Sequence, residues 1–313
     1  MRQRIDAHHH LWQLGRFAYD WLAPDSPPRP FGDHTDLKKD YDVADYARDM
    51  ADTGVAASVF VEANAGAPGA SEIGWVETTA GAGALPAASV GYADLRRPDI
   101  GELLSDFQRS PRMRGIRMSL CWDERPHWRF VETPDVMLSP EFQRGLTELA
   151  RRGLVFDTLV VPWQLSQLAR VAASNPDVGI VINHLGTPLR ETPSDIAQWT
   201  EGMRACAKCA NVSVKLSGLW VVDRGWSPDR IAGPVRRVVD LFGPQRCLWA
   251  SNYPVEKLMC RALDQIRNLE TVLDDLSEDE KDMIFRRTAA GIYRIALADR
   301  TTPADGSWQV VAE

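Results

Sequence analysis

The sequence predicts an α/β fold, a single-domain (β/α)8 TIM barrel over residues 1–300 with a polar C-terminal tail at 301–313. Three observations predict it. Strand-like and helix-like segments alternate along the chain, which implies a parallel sheet with right-handed crossovers. The strand-like runs number eight, the count that closes a barrel. The first run leads into Asp6-Ala7-His8-His9-His10-Leu11-Trp12. An open doubly wound sheet, the runner-up, usually has a glycine-rich dinucleotide fingerprint at that place.

The strand-like runs are 4–8, 55–62, 87–92, 114–118, 154–159, 178–184, 212–216 and 246–251, each short and apolar or β-branched. Helical spacing joins Val43, Tyr46, Ala47 and Met50 within 42–52. The stretch 139–152 opens on Ser-Pro-Glu, a capping start, and stops at Gly153. Segments 193–209, 228–242 and 259–276 have the same amphipathic pattern. After Ser277 a final helix, 279–297, is expected to align Phe285, Ala289, Ile292 and Ala296 on one stripe. Residues 15–39 form a long loop rich in Pro, Asp and aromatics, and loops of that length in compact domains often act as lids.

Composition narrows the class. The 313 residues carry 36 Lys+Arg against 43 Asp+Glu, a net charge of −7, which argues against nucleic acid as a partner. Charged residues at 25% and hydrophobics at 44% are globular values. No uncharged apolar run approaches the roughly 20 residues that span a bilayer. The first run starts at Arg4, leaving no room for a signal peptide. Five Cys, an odd number, fit reduced thiols in the cytoplasm better than a disulfide framework. Cys206-Ala207-Lys208-Cys209 has no second pair to complete a structural zinc site. The expected partner is a small molecule, with neither nucleic acid nor membrane, and a homo-oligomer is compatible with the sequence.

The chemistry-bearing residues gather at predicted strand ends. In a strand His8 and His10 share one face and His9 takes the other. Two neutral imidazoles so placed suit a divalent metal or the polarisation of a carbonyl. His184 ends the run Val181-Ile182-Asn183, before a glycine turn. For these histidines the plainer alternative is buried imidazoles that only satisfy backbone groups. Lys215 sits in an apolar strand, where an unpaired ammonium is costly; a buried carboxylate, an anionic substrate or snorkelling to the surface would each account for it. Arg117 has a fork suited to a substrate carboxylate or a structural ion pair. Glu62 and Asp157, ending the second run and inside the fifth, are candidate bases, ligands or partners of Lys215. Asn252 follows the eighth run; its amide can orient a water or a carbonyl but does not titrate.

In chain order the motifs Asp6-Ala7-His8-His9-His10-Leu11-Trp12, Glu62, Gly115-Ile116-Arg117, Asn183-His184-Leu185-Gly186, Val214-Lys215-Leu216-Ser217-Gly218 and Ala250-Ser251-Asn252-Tyr253-Pro254 resemble the amidohydrolase-related (amidohydrolase 2) family. The branch they look like is that of the 2-pyrone-4,6-dicarboxylate lactonases and sugar lactonases, which Ala18-Tyr19-Asp20-Trp21-Leu22 also resembles. The resemblance covers almost the whole chain. It implies a (β/α)8 barrel, an active site faced by His8, His10 and His184, and opening of a small cyclic ester. It also implies one divalent ion, zinc or manganese, on those histidines, or metal-independent chemistry in which Arg117 and Lys215 hold an acidic substrate.

One residue departs from the family pattern. Family hydrolases usually carry Gly-Ser-Asp-Trp-Pro at the eighth strand, where the Asp activates water, and here Asn252 stands in Ala-Ser-Asn-Tyr-Pro. The departure leaves three readings: hydrolysis with Glu62, Asp157 or a metal-bound hydroxide as base; a lyase or decarboxylase that needs no base there; or a non-catalytic binding protein on the same barrel.

Overall fold

The computed structural model describes residues 2–63, 71–81, 83 and 85–297; the expected tail at 301–313 lies outside them. Eight strands, β1 Arg4–His9, β2 Val55–Val61, β3 Ala88–Tyr92, β4 Met113–Ser119, β5 Val155–Leu159, β6 Ile180–Ile182, β7 Val212–Leu216 and β8 Cys247–Trp249, pair in sequential order. Every neighbouring pair is parallel. The helices between them are α1 Val43–Met50, α2 Ser71–Ala80, α3 Ile100–Phe107, α4 Pro140–Arg151, α5 Leu165–Ser174, α6 Asp195–Ala207, α7 Pro228–Phe242 and α8 Ala262–Val272. The predicted single-domain barrel is the fold observed.

The seam between β8 and β1 is closed just past the end of β8. The Asn252 amide donates to the His8 carbonyl at 2.8 Å, and the His10 amide donates to the Tyr253 carbonyl at 2.7 Å. Asp6 fastens the same seam. Its carboxylate accepts from the Ser251 amide (2.8 Å), the Ser251 hydroxyl (2.5 Å) and the Tyr46 hydroxyl of α1 (2.8 Å). Burial raises the Asp6 pKa, against the pull of those hydrogen bonds.

Two layers of apolar side chains hold the barrel. Strand residues such as Phe60, Ile116, Phe156 and Val214 pack with Leu104, Leu146, Leu168, Val235 and Ile266 of the helices. A second cluster joins Ile5, Ala7, Val59, Val90, Val155, Val181 and Leu248 to Ala289 and Tyr293. Burying each of the Val, Leu, Ile and Phe side chains among them is worth about 1.5–3 kcal/mol.

The eighth run, expected over 246–251, forms a strand only at Cys247–Trp249, and two further elements differ from the sequence expectation. The sixth run, expected over 178–184, forms a strand only at Ile180–Ile182, because His184 (φ 54°) and Leu185 (φ 52°) take left-handed backbone that no strand can continue. The helix expected over 279–297 is α9 Glu278–Asp282, a π-helical turn Met283–Arg287 and α10 Thr288–Tyr293. Arg294 (φ 50°) ends it. The π turn re-phases the stripe, so Tyr293 is fully buried while Ile292 is only partly so. Among the described residues no helix is long and apolar enough to cross a membrane. All five cysteines are free; the Cys206 thiol donates to the Leu165 carbonyl and the Cys209 thiol to the Ala169 carbonyl.

Candidate active site

A cavity of about 520 Å³ opens at the C-terminal ends of the strands, where active sites of this fold lie. Of the residues singled out from sequence, His10, Arg117, His184 and Asn252 line it. Trp21, Phe31, Trp128, Phe130 and Trp220 supply aromatic wall. His8, Glu62, Asp157 and Lys215 are buried behind that surface.

The β1 histidines form a directed chain. The Val61 carbonyl, 2.7 Å from His10 Nδ1, can only accept, so the proton of His10 is on Nδ1. His10 Nε2 is then a lone pair, and it faces His8 Nε2 at 3.2 Å, which must carry the His8 proton. That leaves His8 Nδ1 to accept from Lys215 Nζ at 3.2 Å. Lys215 in turn donates to Asp157 Oδ2, and the Tyr293 hydroxyl donates to Asp157 Oδ1 at 3.0 Å. His9 points elsewhere, stacked on Tyr46 at 3.8 Å and within 3.0 Å of Ser58 Oγ.

Electrostatics keeps these imidazoles neutral. Burial, with the Lys215 charge next, holds His8 well below its ordinary value. Burial and the Arg117 charge do the same for His10, and lower His184 to about 3. Burial lowers Lys215, opposed by Asp157. Arg117 is lowered by burial too, opposed by Asp157, Glu72 and Glu62. Its Nη1 is 3.4 Å from the protonated His8 Nε2, a donor facing a donor, so this N–H remains available to a ligand. Burial and the Glu72 charge raise Glu62 well above the usual carboxylate range; it accepts from the Tyr92 amide.

His184 and Asn252 (φ 55°) both occupy left-handed backbone, a conformation that non-glycine residues keep mainly where the surroundings impose it. His184 Nδ1 lies 2.9 Å from Ser217 Oγ. Gly218 (φ 66°) makes room for the ring: a Cβ there would lie 2.3 Å from His184 Cβ.

Two imidazoles on one zinc have nitrogens roughly 3.3 Å apart, close to the 3.2 Å between the His8 and His10 Nε2 atoms. His10 fits, since its other nitrogen donates to a carbonyl. His8 does not: a metal on Nε2 would drive its proton onto Nδ1, against the Lys215 ammonium. Arg117 adds a second cation beside the same nitrogen, and β8 offers a neutral amide. Among the described residues no group of three or more His, Cys, Asp or Glu is arranged to hold a metal. With Lys215 charged, this donor set does not fit a resident divalent ion.

Four further residues of the site were not expected from the sequence. Ser217 and Tyr293 act through contacts made only by folding. Arg29, from the first loop, lines the cavity. Glu256 is fully buried beside Asn252. Burial raises it well above the usual carboxylate range, and the Gln265 side-chain amide donates to its Oε2 at 3.3 Å. An acid four residues after Asn252 in an apolar run was the available signal.

Known proteins match this chain along most of its length. It is 33% identical over 293 residues to the uncharacterized protein y4mH of Sinorhizobium fredii, covering 93% of this chain and 98% of that one. It is 30% identical over 301 residues to an L-fucono-1,5-lactonase of Burkholderia ambifaria, covering 94% and 97%. A solved amidohydrolase from Burkholderia multivorans with bound zinc superposes with a TM-score of 0.78 at 27% identity, covering 94% of this chain and 100% of that one. Residues 5–295 match the amidohydrolase family Amidohydro_2. The barrel and that match agree: the chain is an enzyme that belongs to the amidohydrolase family.

Proposed function

We propose that the enzyme hydrolyses a small lactone. The observation that carries this reading is the cluster of neutral imidazoles with Arg117 at the wall of an aromatic-lined cavity. The ester carbonyl accepts from Arg117, whose N–H facing His8 has no acceptor among the described residues, so oxyanion charge developing on that oxygen meets a fixed cation. Asn252 orients the attacking water. With His184 Nδ1 donating to Ser217, His184 Nε2 has a lone pair to take the water proton. Water oxygen bonds to the carbonyl carbon, the ring C–O bond breaks, and the leaving alkoxide takes from His184 Nε2 the proton that water gave up. Lys215 and Asp157 act from behind, fixing the tautomer of His8.

The test is a panel of five- and six-membered lactones, with and without added zinc or manganese, in ¹⁸O-water. Ring opening with one labelled oxygen in the product is the expected result. A panel left intact under both conditions overturns the reading. Asn252, in place of a carboxylate, favours one alternative, a decarboxylase; carbon dioxide release from an aromatic or enoic acid without label in the product would establish it.

A further inference from the structure

A polar column runs through the interior of the barrel, where this fold ordinarily packs layers of apolar side chains. It starts at the cavity with His10, continues through His8, Lys215 and Asp157, and ends at the Tyr293 hydroxyl. His8, Lys215, Asp157 and Tyr293 are all fully buried. Tyr293 enters from the end of the barrel opposite the cavity. Its backbone lies at the N-terminal ends of the strands. Arg114 Nε, from the start of β4, donates to the Tyr293 carbonyl at 2.8 Å, and Arg294 donates at 2.8 Å to the carbonyl of Gly153, just before β5. The π turn Met283–Arg287 brings Tyr293 rather than Ile292 onto the inward face of the helix.

Two contacts tie Tyr293 to the buried ion pair. Its hydroxyl lies 3.0 Å from Oδ1 and 3.1 Å from Oδ2 of Asp157, so one proton placed between both oxygens pins the plane of the carboxylate. Its ring centroid lies 5.4 Å from Lys215 Nζ, within cation–π range. The carboxylate so held accepts from Lys215, and Lys215 Nζ is thereby aimed at His8 Nδ1, 3.2 Å away.

We infer that Tyr293 is a positioning residue of the active site: from the underside of the barrel it holds Asp157 and Lys215 in the arrangement that keeps the His8 proton on Nε2. The consequence reaches the cavity through Arg117. While His8 Nε2 carries a proton, Arg117 Nη1, 3.4 Å from it, finds no acceptor there and its N–H stays open to a ligand. Once Lys215 is displaced, His8 can carry its proton on Nδ1 instead, and the freed Nε2 lone pair accepts that Arg117 N–H. One proton changes ring nitrogen and no other group gains or loses one. The effect on turnover rests on the lactone reading, in which Arg117 serves the carbonyl; the effect on His8 does not.

The test compares Tyr293→Phe, which keeps the ring and removes the hydroxyl, with Val90→Ala, which thins the same apolar cluster without removing a polar side chain. In Tyr293→Phe lactone kcat should fall on the order of tenfold, with KM within about threefold. In Val90→Ala both should stay within about threefold of native. Histidine ¹⁵N signals read the tautomer without substrate, and those of His8 are identified by their loss in His8→Gln. They should show a protonated Nε2 and a bare Nδ1 in the native enzyme and in Val90→Ala, and averaged shifts in Tyr293→Phe. Native kcat in Tyr293→Phe, a His8 tautomer that this variant leaves unchanged, a native His8 protonated on Nδ1, or equal losses in the two variants would each overturn the inference. If no lactone is opened but the His8 signals average in Tyr293→Phe alone, the hydrolase reading fails and the role of Tyr293 stands. The melting temperature of each variant checks that it folds.

Discussion

The ammonium of Lys215 stands 3.2 Å from Nδ1 of His8, and both side chains are fully buried. The contact turns a lysine in an apolar strand into the group that sets the proton position of the His8 imidazole. Through His8 it also sets the direction of the bond to His10, so a residue that never reaches the cavity orients one that does.

Removing the cation should therefore damage both stability and the site. Lys215→Met leaves Asp157 buried with only the Tyr293 hydroxyl. Stranding one member of a buried ion pair costs about 3–5 kcal/mol, to be read from urea unfolding. Adding Asp157→Asn should recover a large part of that loss; a double variant no more stable than Lys215→Met would show that the pair is not energetically coupled.

Acid should destabilise the fold through its histidines. His184 is lowered to about 3 by burial and the Arg117 and Lys215 charges, whereas an unfolded imidazole titrates near 6.5. As pH falls from 6.5 towards 3 the unfolded chain binds a proton that the folded chain does not, so stability is full above 6.5 and is lost on acidification. Between pH 7 and 5 this contribution is at most about 2 kcal/mol, a ceiling because the ring meets the cavity. His184→Asn should lose correspondingly less stability than the native protein over that interval. The buried carboxyls Glu62 and Glu256, raised by burial, work in the opposite sense and favour the fold below about 4.5. An imidazole NMR signal of His184 titrating near 6.5 would contradict the assignment.

Gly218→Ala tests how tightly His184 is held. The added Cβ would meet His184 Cβ at 2.3 Å and Cγ at 2.5 Å, and φ 66° disfavours any L side chain. The ring must move away from Ser217. Lactone kcat/KM should fall at least about tenfold, as expected when a reacting group is displaced by an ångström, with a lowered melting temperature. Unchanged turnover would remove His184 from the chemistry.

Asn252 separates orientation from base catalysis. Asn252→Ala should lower kcat about 10²-fold with little effect on KM, the size expected for loss of one preorganised polar group. Asn252→Asp places a second carboxyl beside buried Glu256 and should lower stability at neutral pH more than Asn252→Ala does. Should Asn252→Asp raise kcat instead, the missing carboxylate limits hydrolysis in the native enzyme.

The barrel was legible in the chain because strand and helix periodicity are local properties, and parallel alternation leaves few topologies. The positions of the histidines at strand ends were legible for the same reason: a strand end in this fold is already a place in the site. Local patterns did not reveal the left-handed turn at His184 or the π turn before α10, since the surrounding packing imposes both.

By itself the sequence determined the fold, the family pattern and the presence of His8, His10, His184, Arg117 and Asn252 at the C-terminal ends of strands. Only the tertiary structure decided which of them meet the cavity and what charge state they hold. Asp157 lies 58 residues from Lys215 and 136 from Tyr293 along the chain, and Arg29 reaches the cavity from a loop whose path no periodicity describes. Partnership across such separations depends on distance and burial, which set tautomers and pKa values, and these exist only once the barrel has closed.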